Sequence, residues 1–129
     1  MHIAGLVFAA LAAAFHVVIF VWESVTWVKP ATHRLFGIKR IEDAQTLKQF
    51  AFNQGFYNLF LAVTTLVGIA FTLWGDRTVG VTLVLAGTGM MFAAAVVLFA
   101  SDRRMLRAAF LQGAFPLLAL VFVGTAAVL

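Results

Sequence analysis

The chain has 129 residues, of which 64% are hydrophobic and 11% charged, and its formal net charge is +4. A soluble domain has about 25% charged residues, and a fold of this size could not hide so much apolar surface from water, so a water-soluble globular protein is excluded. The chain has no cysteine, which excludes disulfide bonds and thiolate metal sites.

Four apolar segments are each long enough to cross a bilayer, which takes about 20 helical residues. The predicted spans are residues 3–27, 48–74, 78–100 and 108–129. We therefore predict an all-α, polytopic membrane protein whose single domain, residues 1–129, is a bundle of four transmembrane helices.

The start of the first segment and the residues before the second are each open to two interpretations. Small residues at 9–14 are typical of a signal-peptide cleavage site, but no Lys or Arg precedes them and the apolar run continues to Trp22. We therefore predict a retained helix. Residues 38–49 form either a short interfacial helix or the near end of the second span.

The basic residues predict an orientation, because eight of the nine lie in two of the three connections between spans or, for Lys48, at the edge of one. The eight are Lys29, Arg34, Lys39, Arg40, Lys48, Arg103, Arg104 and Arg107. The positive-inside rule predicts cytoplasmic basic loops and outward termini. The positive charge is thereby explained without a nucleic-acid partner. The same bias makes any homo-oligomer parallel.

Polar side chains fall within the spans on a few helical stripes, and the predicted site is built from them. His16, Glu23 and Trp27 share one stripe of the first helix. The other predicted ligand-binding residues are Asn53, Gln54, Tyr57 and Asn58 of the second span and Gln112 of the fourth. Because polar groups in hydrocarbon must face protein or water, we predict that they line a pocket open to the cytoplasm.

Glu23 is the strongest candidate for a functional residue, because a carboxylate inside the membrane costs several kcal/mol unless something pairs with it. Alternatives remain open for each residue. Glu23 could reach the interface beside Lys29, and His16 could be a neutral core histidine. The amide side chains could serve only to hold helices together.

Several functions are compatible with such a pocket. The first is binding or transport of a small molecule or ion at Glu23. The second is an intramembrane isomerase or hydrolase in which His16 and Glu23, about 10 Å apart, are the catalytic acid and base, with Tyr57, Asn58 or Gln54 orienting a lipid-soluble substrate. The third is an accessory subunit, with basic loops that contact lipid headgroups.

No metal site is predicted, because two ligand-type side chains are too few for zinc. Haem or quinone binding through His16 is a further possibility. A bis-histidine haem would need the second histidine from a symmetric partner subunit.

The polar residues are part of a pattern that covers most of the chain. It begins with His16-x-x-Ile19-Phe20-x-x-Glu23-x-x-x-Trp27-x-x-Pro30 and Phe36-Gly37. It continues with Asn53-Gln54-Gly55-x-Tyr57-Asn58-x-Phe60-Leu61-Ala62 and Gln112-Gly113-x-x-Pro116. This pattern resembles a family of small bacterial integral membrane proteins, the domain-of-unknown-function family numbered 1304. The resemblance implies a four-span protein of the bacterial cytoplasmic (inner) membrane and no particular activity.

Overall fold

The computed structural model describes residues 2–128, with only the backbone of His2. The described chain has no strand and forms five α-helices, α1 to α5, four of which are long and apolar enough to cross a membrane. The predicted fold class is therefore confirmed. The helices are α1 His2–Phe20, α2 Pro30–His33, α3 Ile41–Trp74, α4 Arg77–Ser101 and α5 Leu106–Val128.

The connections between the long helices owe their form to local hydrogen bonds. Asp76 caps the start of α4, where its side chain accepts hydrogen bonds from the backbone N–H groups of Thr78 (2.8 Å) and Val79 (3.0 Å). Asp102 acts in the same way before a short 3₁₀ turn, accepting from the N–H of Arg104 at 2.9 Å. These caps satisfy donors that a helix start leaves free and fix where the two apolar helices begin.

Helix α3 begins at Ile41, seven residues before the predicted start of the second span. Residues 41–49 are therefore the first turns of that helix and not a separate interfacial one. Its 34 residues extend over about 51 Å, whereas the hydrocarbon core is about 30 Å thick. A helix of this length either extends past the hydrocarbon or tilts strongly within it.

The chain divides into two compact units, Met1–Phe15 with Leu61–Leu129, and His16–Phe60. In the first unit, a buried apolar cluster joins α1, α4 and α5. Its members are Leu6, Ala9, Val84, Ala119 and Val123.

Glycines let α3 and α4 approach closely in the first unit. A Cβ at Gly68 would lie 2.7 Å from the backbone nitrogen of Val84, and one at Gly87 would collide with the hydroxyl of Thr65. Such small-residue contacts are typical of helices that pack in a membrane, where van der Waals contact replaces the hydrophobic effect as the main attraction.

Candidate functional site

The candidate site lies in the second unit and begins with a π-helical turn, Val21–Val25, which continues α1. The turn is closed by the N–H of Thr26, which donates to the carbonyl of Val21 at 2.9 Å, five residues back. The hydroxyl of Thr26 donates to the same carbonyl at 3.3 Å. The π turn is the last turn of this helix, because a bend and a turn follow at residues 26–29, and such turns occur at helix C-termini.

Glu23 lies in the middle of this turn and is 8% exposed. Its carboxylate accepts a hydrogen bond from Nδ2 of Asn58 on α3, at 2.9 Å. The same Nδ2 donates to the carbonyl of Gln54 at 3.1 Å, so both amide hydrogens of Asn58 are used. No ion pair to Glu23 forms among the described side chains. The result is a buried carboxylate that is held by one neutral donor.

The absence of a side chain at Gly55 allows this pairing, because it brings the two backbones close together. A Cβ at residue 55 would collide with Oγ of Ser24 and would lie 3.1 Å from both the carbonyl oxygen of Phe20 and Cβ of Glu23. One turn away, Oγ of Ser24 donates to the carbonyl of Phe52 at 2.8 Å. Two hydrogen bonds thus join the helices on either side of the glycine.

Trp27 is buried, and its indole N–H donates to the carbonyl of Ala44, near the start of α3, at 2.8 Å. The ring also packs against Phe36, with 5.3 Å between centroids. The ring of Trp22 lies edge-on to that of Phe36, with 6.5 Å between centroids. Trp27 was predicted to bind a ligand, and its described contacts are those of a side chain that anchors the connection to α3.

His16 is fully buried on α1, two helical turns before Glu23. Phe20 lies between them along the helix and packs edge-on against Phe56 of α3, with 5.1 Å between ring centroids. Seven residues of helix correspond to about 10 Å, and the hydrogen bond described for Glu23 goes to Asn58. The acid–base roles predicted for His16 and Glu23 stay a prediction.

The remaining predicted ligand-binding residues are placed differently. Asn53, Gln54 and Tyr57 are all exposed within the second unit, and Tyr57 reaches 62%. Of the four candidates on α3, only Asn58 is buried, and it bonds to Glu23 in the π turn. Gln112 is half-buried on α5 and belongs to the first unit. No group of three or more histidine or acidic side chains that could hold a metal ion occurs among the described residues.

The connection between α1 and α3 contains two buried residues, Thr32 and His33, that are not among the predicted site residues. His33 is 1% exposed and its Nδ1 donates to the carbonyl of Ile38 at 2.7 Å. The hydroxyl of Thr32 donates to that of Thr26, at the end of the π turn, at 3.0 Å. Gly37 turns the chain toward α3 with a φ of 77°. Pro30 at a helix start and a glycine at its end were the sequence signal for this ordered segment.

The chain belongs to the family described as "Protein of unknown function (DUF1304)", whose profile matches residues 10–124. That range includes both the π turn and Asn58. The chain matches no curated protein and no solved structure.

Proposed function

We propose that this membrane protein binds or transports a small molecule or ion at an intramembrane polar site centred on Glu23. The observation that carries the proposal is the buried carboxylate in the π turn, hydrogen-bonded by Asn58 and without an ion pair among the described side chains. A carboxylate in such surroundings needs its charge balanced, and a bound proton or a cationic ligand would supply that balance.

The local backbone supports a dedicated site. A π turn gives up regular helix hydrogen bonding, and here the loss is offset by contacts from Thr26 and by the close approach at Gly55. A glutamate that only stabilised helix packing could be held by a regular α-helical turn. We infer that the π turn serves to direct the Glu23 carboxylate toward Asn58.

Chemical labelling tests this proposal directly, because the chain has only two glutamates and they differ in environment. Dicyclohexylcarbodiimide is an apolar reagent that modifies protonated carboxyl groups within membranes. We expect one adduct by mass spectrometry, on Glu23, that is absent from Glu23→Gln and retained in Glu42→Gln. Glu42 is an exposed residue in the first turn of α3 and is the matched control.

A lipophilic cation then separates ligand binding from simple protonation. If Glu23 also receives cations, tetraphenylphosphonium should slow the labelling in a concentration-dependent way. Glu23→Gln should fold normally, because a glutamine oxygen can still accept the hydrogen bond from Asn58. A chain with neither labelling at Glu23 nor binding of the cation would refute the proposal and favour a structural role.

We further propose that the basic loops face the cytoplasm in a bacterial inner membrane and that both termini face outward. The bias of eight basic residues against Arg77 alone supports this orientation. It also favours a parallel homo-oligomer, which transport would require because four helices enclose only a narrow path. An alkaline phosphatase fusion at the C-terminus should be active, and an inactive fusion would reverse the assignment.

A further inference from the structure

A groove between α4 and α5, within the first unit, has a volume of about 220 Å³ and is open along one side. Its floor consists of the small residues Ala95, Ala109 and Gly113. A Cβ on Gly113 would lie 3.0 Å from Cβ of Ala95, so the groove is deep because the two helices are in close contact there. Its walls are formed by Phe92, Val96, Phe99, Leu106, Phe110 and Leu117.

Arginines surround the end of the groove at the connection between α4 and α5. The guanidinium carbon of Arg103 lies 5.4 Å from the ring centroid of Phe99, which is itself a wall of the groove. Arg104 is paired with Asp102 at 3.0 Å, and Arg107 is the second residue of α5. Three arginines and one aspartate give this end a net positive charge.

We propose that the groove binds a glycerophospholipid with an anionic headgroup, an acyl chain lying between α4 and α5 and the phosphate contacting Arg103 and Arg107. The walls and floor are apolar side chains, which suit a hydrocarbon chain. A planar guanidinium matches the geometry of a phosphate oxygen pair, and basic pockets between membrane helices are a known way to recognise such headgroups. The positive charge at the arginine end of the groove therefore favours an anionic phospholipid, whose acyl chain would occupy the apolar part.

The arrangement differs from a surface that simply touches bulk lipid. The small floor residues create a depression that an acyl chain can enter, and the contact of Arg103 with Phe99 holds a positive charge at its mouth. Arg104 is already engaged by Asp102. Arg103 is therefore the arginine that we expect to contribute most to binding the headgroup.

Native mass spectrometry of the delipidated full chain tests the proposal. The probes are palmitoyl-oleoyl phosphatidylglycerol and the phosphatidylcholine with the same chains. We expect the wild type to bind the phosphatidylglycerol more tightly than the phosphatidylcholine. Arg103→Gln should weaken binding of the phosphatidylglycerol about fivefold, the factor for one arginine near a membrane surface, and weaken binding of the phosphatidylcholine less, because the choline ammonium already balances the charge of its phosphate. Arg77→Gln, in the opposite turn, is the matched control and should have no effect.

A second pair of variants tests the groove itself. Ala114 lines the groove and is half-buried, so Ala114→Leu should fill it and reduce binding of both lipids while keeping the preference between them. Ala86→Leu adds the same bulk at an exposed site on α4 outside the groove and should bind like the wild type. Equal binding of the two lipids by the wild type would overturn the proposal. So would an effect of Arg77→Gln as large as that of Arg103→Gln, or no loss in Ala114→Leu.

Discussion

The substitution Gly55→Ala measures how closely the two helices of the site are packed. In an unobstructed helix, alanine is about 1 kcal/mol more favourable than glycine. Here, however, the added Cβ would collide with Oγ of Ser24 and would lie 3.1 Å from the carbonyl of Phe20 and from Cβ of Glu23. Overpacking of this kind costs about 1–3 kcal/mol. Loss of the hydrogen bond from Ser24 to Phe52 costs about 1 kcal/mol more.

These contributions lead to a net loss of about 1–3 kcal/mol in the free energy of unfolding, once the helix propensity of alanine is subtracted. Gly124→Ala is the matched control, because no atom of the described residues lies within 4 Å of a Cβ at that position of α5. It should be neutral or up to about 1 kcal/mol more stable. The two substitutions are chemically identical, so the sign of the difference reports the packing alone.

Reversible unfolding in mixed micelles of a mild detergent and dodecyl sulfate, followed by circular dichroism, gives both free energies. Ser24→Ala in the Gly55→Ala background should recover part of the loss, because it removes the atom that the new Cβ meets first. A Gly55→Ala protein at least as stable as the wild type would show that the helices are farther apart than described. The account of how Glu23 is buried would then fail.

Three further outcomes are expected from the same unfolding assay. Trp27→Phe should cost about 1–3 kcal/mol, because the indole N–H loses the carbonyl of Ala44 and a buried ring becomes smaller; an unchanged stability would remove Trp27 as an anchor. Gly37→Ala should cost about 1–2 kcal/mol, because a φ of 77° disfavours any side chain; a Gly37→Ala protein as stable as the wild type would contradict this left-handed turn. The hydrogen bond from the Arg104 side chain lowers the pKa of Asp102 in the folded protein. The ionised Asp102 carboxylate therefore makes a small contribution to stability that is present at neutral pH and is lost as the pH falls through this lowered pKa. Wild-type and Asp102→Asn melting temperatures should therefore converge in acid, and a constant difference would contradict this.

The fold could be predicted from the sequence because a membrane restricts it so strongly. A backbone crossing hydrocarbon must satisfy its own hydrogen bonds, so a long apolar segment has hardly any alternative to a helix. The turn at Gly75-Asp76 could equally be predicted from the sequence, since an aspartate before an apolar run is a good helix cap. The start of α3 was harder, because residues 41–49 are polar and hydropathy carries no information about a helix that continues beyond the bilayer.

The π turn at Val21–Val25 could not have been predicted from its residues. One extra residue in a helix turn leaves no compositional trace, because the cost is local and the compensation comes from elsewhere. Here the compensation includes the hydroxyls of Thr26 and Thr32 and the hydrogen bond from Asn58. Those groups are up to 35 residues from the turn in sequence. Depth and polarity were sufficient to select Glu23, but the shape of its surroundings depends on tertiary contacts.

The choice among the polar residues of α3 illustrates what a better pattern would have been. Small buried residues at positions 44, 51, 55 and 62 mark one face of α3, with spacings of 7, 4 and 7. At about 100° per residue, Asn58 lies about 60° from Gly55 and on that face, whereas Asn53 and Tyr57 lie about 160° away. Gln54 lies about 100° away, at the edge. In a membrane helix, small residues show where another helix comes closest. A polar side chain is therefore best assigned to a site by its angle to the small residues and not by its nearness to other polar ones. By that criterion Asn58 is the partner of Glu23. The exposed amides Asn53 and Gln54 need a different explanation. Because α3 is longer than the hydrocarbon is thick, part of the helix extends past the hydrocarbon or the whole helix tilts, and either arrangement brings polar side chains nearer to water.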